Sequence, residues 1–195
     1  MRANAWRDYL EEQRDRHGKV LFTVTELAHV AGVSHAALNV ELARLRRQSV
    51  IVKYAHGLYG PARAVTPQLL VPAIDSHAYI TGHYALFAHH LVTQIPTVVT
   101  CFTDRRSSRA RDRDTPIGRF VFVVVSGGVY AAPADGPIAD PIQALCDYVY
   151  LARRQGVPPE ALVTLRNLPA RASLDAMLLA RYPRTVQKHV ARLLV

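Results

Sequence analysis

The sequence predicts an α+β fold, with helices and a hairpin at the N-terminal end, then an α/β part with a small sheet and packed helices. Two observations carry this prediction. Leu38, Leu42 and Leu45 recur at spacings of four and three, which is the period of an amphipathic helix. Residues 95–102 and 119–126 are rich in β-branched side chains, which is typical of strands. A chain of 195 residues can form one large domain or two small ones.

The N-terminal segment reads as two helices around a short strand. Residues 4–16 have the pattern of an amphipathic helix, with Trp6 and Leu10 on one side. A short strand is predicted in "VLFTVTEL", followed by a helix over residues 26–31 with Thr25 as its N-cap.

A third helix and a hairpin follow the turn at Gly32. Ser34 is the predicted N-cap of "HAALNVELARLRRQ", and "VIVKYAHGLYGP" alternates like two strands joined at Ala55-His56-Gly57. Helix, turn, capped helix and hairpin in this order resemble a winged helix-turn-helix, and we assign residues 1–63 to such a DNA-binding domain.

A winged helix-turn-helix lays its second helix in the DNA major groove. Asn39 can pair with adenine through two hydrogen bonds, and Arg44 can reach a base or a phosphate. The alternatives are a solvated helix face and a protein-binding module. Glu41 argues against DNA because it repels phosphates, unless it faces the first helix or accepts from a cytosine. The predicted DNA-binding residues are Ser34, His35, Ala36, Asn39, Val40, Ala43, Arg44, Arg47, Lys53, Tyr54 and His56.

Residues 64–195 are predicted to form the second, α/β domain. Asp140 caps its clearest helix, because Pro141 then occupies the first turn, where proline is favoured. The predicted elements are a proline-bearing linker after residue 64, a helix over 82–93, strands over 95–102, 119–126 and 129–133, the helix from Asp140 to Gly156, and two or three helices over 158–195.

Five arginines lie between the first two predicted strands, in "TDRRSSRARDRDTPIG". One interpretation is a mobile, solvated loop. The other is an arm that contacts a phosphate backbone or an acidic partner. The residues are Arg105, Arg106, Arg109, Arg111 and Arg113.

The charge balance points to a polyanionic partner. The 24 Lys and Arg residues against 15 Asp and Glu give a net charge of +9, and nucleic acid is the commonest polyanion, with an acidic protein as second choice. No apolar run approaches the roughly 18–20 residues of a membrane span. The charged start has no apolar signal core, so we expect a cytoplasmic protein without a membrane partner.

The sequence holds no known catalytic motif, and we expect neither enzymatic activity nor a cofactor. Asp104, Asp112 and Asp114 could suggest a nuclease metal cluster, but arginines interleave them on a predicted loop. Asp147 lies on an otherwise apolar helix, where a hydrogen-bonded buried acid or a solvent-facing acid is commoner than a catalyst.

Three histidines in "ITGHYALFAHH" resemble a metal cluster at first sight. His83 and His90 are seven positions apart, about 10 Å along a helix, and His89 points away from His90 by about 100°. A single ion needs ligands about 2 Å from itself, so we predict no metal site and interpret these residues as polar positions on a helix, with His83 available to cap its first turn.

The order of features over residues 5–155 resembles the type IV AbiEi-family antitoxins. In that family a winged helix precedes a domain that opens on a "Y-I-x-x-x-x-A-L" motif, here Tyr79-Ile80 through Ala85-Leu86, followed by "HHLVTQIPTVVTCFTDRR". A "P-E-K-A-L-x-D" helix is often present, and here it reads "PIQALCD", from Pro141 to Asp147. The Glu-Lys pair is missing, so no role tied to it is carried over.

This resemblance implies two activities. The winged helix represses the protein's own promoter at repeated sites on double-stranded DNA, and the second domain counteracts a nucleotidyltransferase-like toxin encoded beside it, without need of a stable complex. Two alternatives remain open. One is a winged-helix regulator whose α/β domain senses a small molecule in a pocket, and the other is a DNA-processing enzyme with clustered carboxylates.

Overall fold

The computed structural model describes residues 2–106 and 111–194. The chain is α+β and divides into two compact units. Unit one contains the residues up to Ile74 together with Thr115–Ile117, and unit two contains Asp75–Asp114 and the chain from Gly118 onward. The division predicted at residue 64 precedes this point, because the segment up to Ile74 groups with unit one.

Unit one combines four helices with a small sheet. Its elements are α1 (Ala3–His17), β1 (Phe22–Thr23), α2 (Val24–Ala31), α3 (His35–Arg47), β2 (Val52–Ala55), β3 (Leu58–Gly60) and α4 (Pro67–Ile74).

Side-chain caps fix the start of α2 and of α3. The Thr23 hydroxyl accepts from the Glu26 amide at 3.2 Å, and the Glu26 carboxylate accepts from the Thr23 amide at 2.8 Å. This reciprocal pair makes Thr23 the N-cap, so the prediction of Thr25 was wrong. Ser34 caps α3 as predicted, accepting from the Ala37 amide at 3.3 Å. Gly32 between the helices has a φ of 65°, the left-handed conformation that ends α2.

The sheet of unit one is antiparallel, in the order β1-β3-β2. Tyr59 on the central strand pairs with Phe22 on one side and Lys53 on the other. At Gly60 a side chain is impossible, because a Cβ would lie 2.2 Å from the Val20 carbonyl oxygen. The sheet and helices enclose one core, whose largest members are Trp6, Phe22, Leu27, Leu38, Leu42 and Leu45.

The segment predicted as a linker contains the helix α4. Pro67 begins it, where the missing N–H costs nothing, and Leu70 and Val71 are completely buried. The sequence did not predict this helix, because two turns are too short to show a clear hydrophobic period. Pro72 inside the helix is also a residue that is typical of linkers.

Unit two packs helices against a four-stranded sheet. Its elements are β4 (Tyr79–Thr81), α5 (Gly82–Ala88), β5 (Val98–Thr103), β6 (Asp112–Thr115), β7 (Gly118–Val124), α6 (Pro141–Arg154), α7 (Ala176–Ala180) and α8 (Arg184–Leu193), with 3-10 turns at Pro159–Ala161 and Arg171–Ser173. Across the described parts of the chain, no helix has the length and apolar character needed to cross a membrane.

The strand order in unit two is β4-β5-β7-β6. Strand β5 pairs in parallel with β7 and antiparallel with β4, so the two predicted β-branched runs lie side by side at the centre. The predicted strand over 129–133 was wrong, because the amides of Val129 and Tyr130 both donate to the Ser126 carbonyl and close a turn.

The helix predicted over 82–93 ends at Ala88. His90 takes a left-handed conformation with a φ of 60°, and the Leu91 amide bonds back to the Leu86 carbonyl at 2.9 Å. Leu91 and Val92 still lie in the core, although they have left the helix. The apolar positions were therefore predicted correctly while the helix end was not.

Asp147 lies at the centre of unit two with no exposed surface. Its carboxylate accepts hydrogen bonds from the hydroxyls of Tyr79 at 3.1 Å, Thr81 at 2.7 Å and Tyr182 at 2.7 Å. The expectation of a buried, hydrogen-bonded acid is confirmed. Burial raises the pKa of Asp147 to about 7, although the three donors act in the opposite direction.

This pKa predicts how the stability of unit two depends on pH. Between about pH 4 and pH 7 the unfolded chain releases the Asp147 proton while the folded chain keeps it, so stability falls as pH rises. Relative to Asp147→Asn, which does not titrate, the wild-type free energy of unfolding should fall by up to about 4 kcal/mol across this window and then level off.

Urea denaturation of both proteins at several pH values, followed by far-UV circular dichroism, measures this difference. Trp6, the single tryptophan, belongs to unit one, so its fluorescence reports the other unit in the same samples. Parallel stability profiles for wild type and Asp147→Asn would contradict the prediction.

Candidate nucleic-acid interface

The outward face of α3 is exposed along its length. Leu38, Leu42 and Leu45 turn inward with at most 1% of their surface exposed, so the positions between them face solvent. Val40 is 73% exposed, which is unusual for a large apolar residue. Exposed with it are Ser34, His35, Ala36, Asn39 and Ala43, as the sequence predicted. Ser34 is also engaged as the helix cap.

Charge is segregated within unit one. The acids concentrate on α1, whereas Glu41 is the single acid between Leu27 and Ile74. The same stretch contains five basic residues, and most of them lie at the end of α3 and on β2: Arg44, Arg46, Arg47, Lys53 and Arg63. The surface formed by α3 and β2 is therefore basic although α1 is not.

Glu41 is directed away from solvent. Its Oε1 accepts from the Trp6 indole at 2.7 Å and lies 3.5 Å from an Arg44 guanidinium nitrogen. Burial acts to raise the pKa of Glu41, but the Trp6 hydrogen bond and nearby positive charge outweigh it and lower the pKa below its ordinary value. The acid that argued against DNA faces the first helix, which was one of the alternatives open from the sequence.

Arg44 is half-buried beside Glu41, and part of its charge is compensated there. The more exposed cations are Arg46 and Arg47 in the last turn of α3. They line an open groove together with Lys53, Ile51 and Val52. Arg46 is not among the DNA-binding residues predicted from the sequence.

Of the three predicted DNA contacts on the β2–β3 hairpin, two are exposed and one is buried. His56 is exposed at the turn, where Gly57 has a φ of 71°, and Lys53 is exposed on β2. Tyr54 is only 2% exposed, and its hydroxyl donates to the Pro61 carbonyl at 2.7 Å. Its assignment as a DNA contact was therefore wrong.

The end of the arginine-rich segment forms the edge strand β6, so the prediction of a loop was wrong there. Arg105, Arg106 and Arg111 are exposed. Arg113 lies on β6 with its guanidinium 5.3 Å from the centre of the Phe122 ring, so it packs on the sheet. Arg109 lies outside the described residues.

Two of the three histidines, His83 in α5 and His89 directly after it, donate hydrogen bonds to backbone carbonyls. His83 Nε2 lies 3.0 Å from the Gln94 carbonyl oxygen, so it does not cap the helix. His89 Nε2 lies 2.7 Å from the Ala139 carbonyl oxygen. Within residues 2–106 and 111–194, no three His, Cys, Asp or Glu side chains are grouped so as to hold a metal ion.

The three aspartates considered for a nuclease have separate partners or lie in the open. Asp104 pairs with His77 at 2.9 Å, Asp112 forms an ion pair with Arg119, and Asp114 is exposed on β6. Asp147 is enclosed by its three hydroxyl donors, and no solvent reaches it. Asp104 and Asp112 are therefore each paired with a basic side chain, and Asp147 is paired with hydroxyl donors.

Comparison with known proteins gives a structural likeness only. No protein-family model matches the chain, and no curated protein matches it by sequence. The crystal structure of the RV2827C protein from Mycobacterium tuberculosis is similar, with a TM-score of 0.54 and 15% identity, over 96% of this chain and 71% of that chain. An identity this low supports the α+β fold and carries no function.

The contact between Trp6 and Glu41 can be tested by its effect on stability. Glu41→Ala leaves the indole N–H of the fully buried Trp6 without its acceptor, which should cost about 1–3 kcal/mol. Glu41→Gln keeps an amide oxygen in place and should cost less than about 1 kcal/mol. Urea unfolding followed by Trp6 fluorescence distinguishes the two, and an equal loss in both variants would show that the hydrogen bond does not matter.

Proposed function

We propose that unit one is a winged helix-turn-helix that binds double-stranded DNA with α3 in the major groove. Its element order of helix, strand, two helices and hairpin, with the sheet order β1-β3-β2, supports this interpretation. The observation that carries the proposal is the exposed, basic face of α3, from which the one local acid is withdrawn by Trp6.

The roles within this surface follow from residue chemistry. Asn39 lies at the exposed middle of α3, where an amide can pair with adenine through two hydrogen bonds. Arg46, Arg47 and Lys53 surround the groove beside it and suit phosphate oxygens, which fix position without reading sequence. His56 at the hairpin turn is placed to contact the backbone or a groove edge.

We further propose that the chain is an antitoxin resembling the type IV AbiEi family, which represses its own promoter and counteracts a nucleotidyltransferase-like toxin. One contact in unit two supports the resemblance on which this proposal rests. The two stretches that carry the resemblance, around Tyr79 and up to Asp147, lie far apart in sequence but meet in the hydrogen bond between these two side chains. The residues that carry the resemblance thus include Tyr79 and Asp147, which are buried together in unit two.

DNA binding is tested by two variants with different expected signatures. Asn39→Ala should lower affinity for DNA from upstream of the coding sequence by about 1–3 kcal/mol and leave a random duplex almost unaffected. Arg46→Gln combined with Arg47→Gln should weaken binding to both duplexes and reduce the slope of log affinity against log salt by about 1.8.

Fluorescence anisotropy titrations at several salt concentrations give both quantities. Arg14→Gln on α1 is the matched control, because it removes a charge that is already paired with Asp15. If Asn39→Ala binds the upstream DNA as tightly as wild type, α3 is not the helix that reads sequence.

Antitoxin activity is tested by growth rescue. Expression of the full chain together with the nucleotidyltransferase-like toxin encoded beside it should restore growth, and Asn39→Ala should rescue equally well because promoter binding is a separate activity. Soluble, well-expressed chain that fails to restore growth would reject the antitoxin proposal and leave DNA binding unaffected.

A further inference from the structure

The net positive charge of unit two comes from its C-terminal part, residues 153–195. Residues 75–152 contain 6 basic and 7 acidic residues, a net charge of −1. Residues 153–195 contain 8 basic and 2 acidic residues, a net charge of +6. The five arginines between the strands are thus offset by the acids of residues 75–152 as a whole, three of which lie in the same segment.

Helix α8 carries this charge on one side. Val186, His189 and Val190 are buried against the core, which orients the helix. The exposed positions of its first nine residues are Arg184, Thr185, Lys188 and Arg192. The three cations recur every four residues, about 6 Å apart along the axis, and form one row. We call this row the α8 stripe.

A buried histidine holds a further arginine beside this row. The Nδ1 atom of His189 lies 3.3 Å from a guanidinium nitrogen of Arg153 and 3.3 Å from one of Arg192. A guanidinium can only donate, so Nδ1 is the acceptor, His189 is neutral and its proton is on Nε2, 3.1 Å from Glu160. Burial lowers the pKa of His189, in agreement with a neutral ring. Arg153 and Arg192 thereby both contact the ring of His189, and Arg192 also forms an ion pair with Glu160 at 3.4 Å.

The composition of this surface distinguishes between the two kinds of acidic partner. Protein interfaces have a core of apolar and aromatic side chains within a polar rim. None of the four exposed side chains on the α8 stripe side is apolar, and residues 176–194 contain no acid. Arginine, lysine and threonine are the side chains that contact sugar–phosphate backbones.

We propose that the α8 stripe, with Arg153 beside it, binds the phosphate backbone of nucleic acid without reading its sequence. This goes beyond the proposed function, which assigns DNA contact to unit one, and it does not rest on that function. The surface supplies cations at a spacing suited to successive phosphates, and Arg192 can use a second guanidinium nitrogen for a phosphate while it contacts His189.

The test replaces Arg184, Lys188 and Arg192 by glutamine in the full chain and measures binding to a fluorescent duplex of random sequence. Affinity should fall at least about tenfold at low salt, and the slope of log affinity against log salt should fall by about 2.7, or roughly 0.9 per lost phosphate contact. An unchanged far-UV circular dichroism spectrum shows that the variant is folded.

A charge-matched control separates a local site from net charge. Replacing Arg7, Arg14 and Arg16 on α1 by glutamine removes the same three charges from exposed positions in unit one. The proposal expects this control to bind random duplex almost as wild type does. Equal losses in the two triple variants would overturn it, because binding would then follow total charge alone.

Two more arms complete the test. Repeating the α8 substitutions in a chain that already carries Arg46→Gln and Arg47→Gln removes the contribution of α3, and the further loss of affinity should persist there whether or not α3 reads an operator.

Polyglutamate serves as the acidic polypeptide probe. If the α8 variant loses polyglutamate binding but keeps its affinity for duplex, the surface fits an acidic protein and the nucleic-acid proposal is overturned.

Discussion

The carboxylate of Asp147 is the constraint on which unit two depends, because an ionisable group with no exposed surface needs hydrogen-bond partners close by. Its donors come from Tyr79 and Thr81 on β4 and from Tyr182 just before α8. Satisfying this acid therefore holds the edge strand and the C-terminal helices against α6. Replacing one donor by an apolar residue leaves the others in place, whereas losing the carboxylate leaves three buried hydroxyls to be satisfied.

Unit one also contains an acid whose position is set by hydrogen bonding, Glu41. Glu41 lies on the helix whose other charges are basic, and in solvent it would weaken any polyanion contact there. The Trp6 indole and Arg44 draw it toward the core side of α3. The position of the Glu41 side chain therefore affects two properties. It stabilises the contact between α1 and α3, and it keeps the charge of the exposed face of α3 positive.

Elements specified by nearby residues could be predicted from the sequence, and elements specified by distant partners could not. Ser34 caps α3 and Asp140 caps α6 where the local pattern places them, and the buried leucines of α3 follow its period. Strand β6 has the composition of a loop, because its residues are charged, and it forms by pairing at the edge of β7.

The same distinction between nearby and distant determinants applies to the candidate site on α3 and the β2–β3 hairpin. The exposed face of α3 follows from its helical period, so Asn39 and its neighbours could be placed from the sequence. Tyr54 could not, because a strand of four residues is too short for alternation to tell the inner face from the outer one. The contact between Trp6 and Glu41 joins residues 35 positions apart, and no local pattern signals it. The net charge predicts a polyanionic partner without locating its binding surface, whereas the positions of the few acids, on α1, near the sheet and at Glu160, determine which surfaces of each unit are basic.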